Sequence, residues 1–187
     1  MAQLTKTAIM DAFVRLLGQA PMEQITVQAI TAECGISRNT FYYHYGDIYA
    51  LLKAVLQRDM DLLLAQRRPG EHASEGLRRL FAYMSGRQRM VSHIYSGMGH
   101  AELEEYLIEA THDLFMAYIR DTAEGLAPSP EDLEFICQSY QFMLIGMLLE
   151  WVRWGMKGDL ADLLERAQRL FFHGTRRILE ENSVPFS

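Results

Sequence analysis

Apolar residues recur at three- and four-residue intervals along nearly the whole chain, and no stretch alternates as a half-buried strand does. The pattern predicts an all-α protein. A first helix over 5–17 places Ile9, Ala12, Phe13, Leu16 and Leu17 on one face and Lys6, Asp11 and Arg15 on the other, with Gly18 and Pro21 ending it. Two short helices come next, either side of Cys34-Gly35. Thr26 is a good N-cap for the first, whose apolar positions are Val27, Ala29 and Ile30, and Ser37 caps the second. Gly35 supplies the positive φ angle that stops the first helix, and Ile36 plugs the corner. A longer amphipathic helix over 47–67 carries Ile48, Leu51, Leu52, Val55, Leu56, Leu62 and Leu63, and Pro69-Gly70 closes it.

Beyond that break, helices are expected over 74–86, 88–96, 101–124, 130–157 and 159–182, with 183–187 frayed. Ser129-Pro130-Glu131-Asp132 is a strong start signal: a capping hydroxyl, proline at the first helical position, and acids facing the positive helix end. A unit of about 45 residues buries too little surface to stand alone, so a head over 1–46 must dock on the helix that succeeds it in the chain. The remainder, 47–187, is a helical body entered through a connecting helix over 47–68.

The second short helix carries the chemistry. Arg38, Asn39 and Thr40 occupy its first turn, Phe41 and Tyr45 point back into the core one turn apart, and Tyr42, Tyr43 and His44 remain outward or sideways. A helix-turn-helix places the N-terminal residues of its second helix against base edges in the major groove, where polar, hydrogen-bonding side chains of moderate length are needed. Hydroxyl and imidazole groups beside them suit phosphate oxygens. The bland alternative is an ordinary helical hairpin, but three aromatics and a histidine crowd about two turns, and Phe41 with Tyr45 already supplies the buried face.

Charge at first argues the other way, since the chain of 187 residues has a net charge of −6. Division at Arg68 changes the picture: residues 1–68 hold seven Lys/Arg against six Asp/Glu, and the rest hold eleven against eighteen. A weakly basic head on an acidic body gives modest phosphate attraction per subunit, which two heads in a dimer would compensate. No apolar run reaches the roughly 20 residues that span a bilayer, and the polar start Met-Ala-Gln-Leu-Thr-Lys is no secretory signal, so a cytoplasmic protein is expected. Cys34 and Cys137 match no metal spacing and read as reduced, semi-buried residues. No nucleophile, base and orienter come together in the sequence, so neither an enzyme nor a cofactor or metal site is expected.

The last two helices are more apolar than a monomer of this size requires. Between Phe135 and Trp154 apolar side chains cover nearly the whole circumference, which demands burial on all sides. Leu160, Leu163, Leu164, Ala167, Phe171, Gly174 and Ile178 form a stripe on the final helix, and Gly146 and Gly174 would allow close backbone approach. Pairing both helices with symmetry mates gives a homodimer through a four-helix interface. Phe115, Met116, Tyr118, Ile119, Phe142, Met143, Met147, Trp151 and Trp154 could enclose a small apolar or aromatic effector, oriented by His93, His100 or His112; the same residues could fill an ordinary core.

In its helix-turn-helix, residues 25–47, and weakly in the helix upstream, the chain resembles the TetR family of bacterial transcriptional regulators. The resemblance implies a homodimer that binds a pseudo-palindromic operator through two recognition helices, commonly as a repressor released by a small molecule held in the body. Carried over by position, Arg38, Asn39, Thr40, Tyr42, Tyr43 and His44 are the DNA-facing set, with Thr26 and Gln28 near the backbone. One departure matters: the family often has lysine at the start of the connecting helix, where this chain has Ile48, and Lys53 lies more than a turn further on. The acidic body and weak head charge leave a second reading open, the same head serving as a coactivator controlled by a protein partner.

Overall fold

A computed structural model describes residues 2–66, 73–98, 100–170 and 174–181. Among these the chain is helical, without strands: α1 (Ala2–Leu17), a 3-10 turn (Met22–Gln24), α2 (Val27–Cys34), α3 (Arg38–His44), α4 (Ile48–Ala65), α5 (Ala73–Ser85), α6 (Gln88–Gly97), α7 (His100–Thr122), α8 (Pro130–Arg153), α9 (Leu160–Leu170) and α10 (Thr175–Glu181). The caps form as their residue types require. The Thr26 hydroxyl accepts from the Ala29 N–H, Ser37 from Thr40 and Ser129 from Asp132. Gly35 ends α2 in the left-handed region, at φ +68°.

Contacts divide the chain into two compact units. The first comprises residues up to Leu62 together with Arg87–Leu103, and the second Leu63–Gly86 with Glu104 onward. The first unit therefore takes in most of α4 and all of α6, beyond the boundary after residue 46 that the sequence suggests. Its core is built on Ile9, Phe13, Leu17, Ile30, Phe41, Leu51 and Leu52, all fully buried. Leu62, expected on the packing stripe of α4, is instead 57% exposed.

Helix α6 is bound to this unit by three kinds of contact. The His93 ring nitrogen Nδ1 bonds the Leu17 carbonyl at 2.7 Å, satisfying one of the acceptors that the end of α1 leaves without an intrahelical partner. Tyr49 Oη donates to the Gly97 carbonyl at 3.4 Å. Gly97 also meets the 3-10 turn so closely that an added Cβ would lie 2.6 Å from the Met22 Cβ, which no side chain tolerates.

The second unit is organised around α8. Its inner face buries Cys137, Tyr140, Gln141, Leu144, Ile145, Leu148, Leu149, Trp151 and Val152. Gln141 is fully buried and paired: its amide donates to the Ile108 carbonyl at 2.6 Å and to Thr111 Oγ1 at 3.2 Å on α7. The Tyr140 and Thr175 hydroxyls, 2.6 Å apart, tie α8 to α10, while α5 packs on α9.

Two expectations are corrected here. Helix α8 stops at Arg153, not 157, because Gly155 and Met156 turn into left-handed backbone at φ +75° and +55°, and the Met156 N–H returns to the Trp151 carbonyl. Helix α8 is also long and apolar enough to cross a membrane by length and composition, contrary to a reading of contiguous apolar runs; half of its most apolar window is buried inside the protein. The expected helix over 159–182 is represented by α9 and α10, with 171–173, and hence Phe171, outside the described residues.

Replacing Phe41 by Ala empties a fully buried ring site. The expected cost is about 3–5 kcal/mol, read as a lower urea midpoint at unchanged slope. An unchanged midpoint would mean that Phe41 is not a core residue.

Candidate nucleic-acid interface

Helix α3 has seven residues, too few to persist alone in water. What holds it is Phe41, fully buried, and Tyr45, 7% exposed, their ring centroids 6.1 Å apart. Burial pushes the Tyr45 phenol pKa up, against the lowering influence of the Arg58 charge. Arg58 in turn pairs with Asp11 at 2.8 Å and Asp59 at 3.2 Å, joining α4 to α1. Arg15 and Glu33, 2.9 Å apart, join α1 to α2.

With that side anchored, the opposite edge of α3 is free. Arg38 and Asn39 are exposed, Tyr42 is 55% and Tyr43 81% exposed, and His44 is half-buried with its ring edge-on to Tyr43 at 5.0 Å. The Thr40 hydroxyl lies 2.9 Å from that of Ser37, so cap and first turn share a hydrogen bond. Thr26 and Gln28 are exposed at the start of α2, and Lys53 is exposed on α4. The sequence-derived set thus lies at the start of α2, with Thr26 and Gln28, and along α3, with Arg38, Asn39, Thr40, Tyr42, Tyr43 and His44.

One relation within that set is invisible in the sequence. Arg38 Nη2 donates to Gln28 Oε1 at 3.3 Å, across ten residues and from one helix to the other. Tyr49, unremarked in the sequence pattern, is half exposed and reaches α6.

The effector set does not assemble in the same way. His93 and His100 belong to the first unit, His93 being engaged with the Leu17 carbonyl and His100 lying edge-on to Tyr95. In the second unit Phe115, Met116, Tyr118, Ile119 and Trp151 are buried, and Met143 and Met147 are half-buried. Phe142 and Trp154, by contrast, are 54% and 65% exposed, so they do not line the interior of the single chain. The Trp154 indole N–H donates to Glu150, and the Arg153 guanidinium stands 5.6 Å from its ring. Trp151 donates to the Gly158 carbonyl, closing the turn after α8.

His112 keeps one edge towards Glu134, at 3.9 Å, and its Nδ1 within 3.9 Å of the buried Cys137 Sγ. Burial, with a smaller push from the Glu134 charge, raises the Cys137 pKa to about 11. That thiol stays protonated at neutral pH and is a packing group, not a nucleophile. Among the described residues no cluster of His, Cys, Asp and Glu could hold a metal ion.

Among the described residues the chain is helical throughout and carries a capped helix-turn-helix seated on a buried core, the class of fold on which DNA-binding regulators are built. The family described as "Bacterial regulatory proteins, tetR family" matches residues 9–55, and "Transcriptional regulator C-terminal region" of the same family matches 71–173. The chain belongs to the TetR family of transcriptional regulators. Among solved structures, it is similar to the dihydroxyacetone kinase operon activator DhaS, at 21% identity and TM-score 0.75, covering 94% of this chain and 98% of that one. It is also similar to a TetR regulator from Streptococcus agalactiae, at 22% identity and TM-score 0.57, covering 96% and 95%. A third is the Thermus thermophilus repressor FadR in complex with lauroyl-CoA, at 22% identity and TM-score 0.63, covering 90% and 94%. These identities establish a shared fold. No curated protein sequence matches the chain.

The two cysteines should separate chemically. Alkylation of the native protein near pH 8 is expected to modify half-buried Cys34 and to spare Cys137 until the chain is unfolded, as mass spectrometry of its peptides would report. Because the fold favours the protonated Cys137 thiol, this group contributes a loss of stability as pH rises from its ordinary value of 9.0 toward 11. Rapid native labelling of Cys137 would contradict its burial.

Proposed function

We propose that the chain acts in the bacterial cytoplasm as a homodimeric, sequence-specific repressor whose two α3 helices read the half-sites of an inverted-repeat operator. The observation that carries this reading is the polar edge of α3, held outward by the burial of Phe41 and Tyr45 on its other side. Arg38, Asn39 and Thr40 take the base-reading positions, and Tyr42, Tyr43, His44, Thr26 and Lys53 bond phosphate oxygens. Such an arrangement needs two heads, since one is only weakly basic.

The surface of α8 supports that dimer. Phe135 is 71% exposed and Phe142 54%, with the exposed Gly146 one turn beyond, and Ile178 on α10 is 43% exposed. Among the described residues, nothing lies within 4 Å of a Cβ built at Gly146 or Gly174, so both leave room for another backbone. Symmetric packing of these faces removes large apolar side chains from water, which a soluble chain otherwise leaves exposed at a cost.

Release is assigned to a small apolar or aromatic effector taken up among Phe115, Met116, Met143, Met147 and Trp151 in the second unit, with His112 as a polar contact. The lauroyl-CoA bound by Thermus FadR has an apolar chain of the kind this wall would accept. DhaS, an operon activator with a closely similar fold, keeps the coactivator reading in view.

Selection of bound duplexes from a random pool should return an inverted repeat. Affinity for it is expected to fall roughly tenfold between about 50 and about 200 mM salt, as counterions leave the two phosphates that the Lys53 side chains of the dimer neutralise. Repeating the selection with long-chain acyl and aromatic metabolites separates the readings: loss of bound duplex supports a released repressor, and indifference to every metabolite favours control by a protein partner. Return of no sequence at all would remove the regulator assignment. Phe142→Glu should sediment as a monomer and bind the repeat at least about tenfold more weakly; a variant that remains dimeric would move the interface off α8.

A further inference from the structure

We infer that Gln28 is a positioning residue for Arg38, and that together they make guanine the preferred base at the point in each half-site that Arg38 reaches. The inference rests on the DNA-reading role proposed above and specifies what is read.

The two side chains come from different helices. Arg38 is the first residue of α3 and Gln28 the second of α2, and both are exposed on the same side of the turn. Their backbones are fixed relative to one another by the Gly35 turn and by Ile30 and Phe41, both fully buried. The contact between them, 3.3 Å from Nη2 to Oε1, therefore joins two immobile platforms.

Arginine has only donors, so the Gln28 carboxamide must turn its oxygen toward Arg38 and its NH2 group away. The remaining guanidinium N–H groups and that NH2 then form an edge of donors alone. In the major groove guanine presents two acceptors, O6 and N7, to such an edge, whereas adenine sets its N6 amino group beside N7 and would place donor against donor. Cytosine and thymine offer no paired acceptors. An unrestrained arginine would have to give up considerable rotamer freedom to make the same bidentate contact, and Gln28 removes part of that loss in advance.

A phosphate-bound Arg38 is the alternative, and its signature differs. A base contact alters preference at one position with the salt slope unchanged. A phosphate contact weakens all sequences alike and, removed from both subunits of the dimer, lowers the slope by about two.

The test uses the full chain and the inverted repeat selected by the parent, with each half-site position substituted by all four base pairs. The parent should prefer guanine at one position by about tenfold or more. Gln28→Ala is expected to reduce that preference to about threefold or less, leaving the salt slope and the melting temperature unchanged because both side chains are exposed. Gln28→Glu, whose carboxylate still accepts from the guanidinium, should keep the preference while lowering affinity for every duplex by charge repulsion. Arg38→Ala should abolish the preference, and adding Gln28→Ala to it should change nothing further. The inference is overturned if Gln28→Ala leaves the guanine preference intact or weakens all four base pairs equally, or if Arg38→Ala lowers the salt slope without altering preference. A parent that selects no duplex overturns the regulator reading and this inference together; a parent that selects a repeat indifferent to Gln28 overturns this inference alone.

Discussion

Everything that α3 can do depends on the burial of two rings one turn apart, Phe41 above all. Seven residues do not hold a helix in water, and neither the Ser37 cap nor the final turn at Tyr45 changes that by itself. Phe41, fully enclosed by the first unit, couples the short helix to a core made by α1, α2 and α4. The polar residues on the opposite edge thereby inherit the rigidity of the whole unit, and recognition at a fixed register becomes possible without a long helix.

A similar division of labour governs α8, with polar groups on the inside. Its inward face is largely apolar, and the polar groups on it are paired: Gln141 to Ile108 and Thr111 on α7, and the Tyr140 hydroxyl to Thr175 on α10, which sets the register of the helix against both. A buried amide with its partners in place specifies one register where apolar contacts alone would tolerate several. The outward face keeps Phe135 and Phe142 in solvent, and so the helix that orders the interior of the second unit also carries two of its exposed rings.

Local features were the most legible in the sequence. Thr26, Ser37, Ser129-Pro130 and Gly35 act within four residues of where they stand, and each has the conformation its chemistry implies. The identities of the α3 side chains that face out and in followed from spacing, because Phe41 and Tyr45 lie one turn apart. What escaped were relations across distance. The Gln28 to Arg38 contact spans ten residues and that of His93 to Leu17 spans 76, and periodicity carries no information on either. The candidate effector residues show the same limit: helical spacing marks Phe142 and Phe115 alike as apolar, but only packing distinguishes the exposed one from the buried one.

The attachment of α6 to the first unit bears on how such a protein can be taken apart. The chain leaves that unit after Leu62 and returns for Arg87–Leu103, bringing His93 to the end of α1 and Gly97 to the 3-10 turn. A contiguous amino-terminal fragment would leave the Leu17 carbonyl without its imidazole partner and uncover Met22. Grafting this reader onto a foreign body, or a foreign reader onto this body, thus means exchanging two separate stretches of polypeptide at once, and evolution by simple shuffling of the front end would meet the same obstacle.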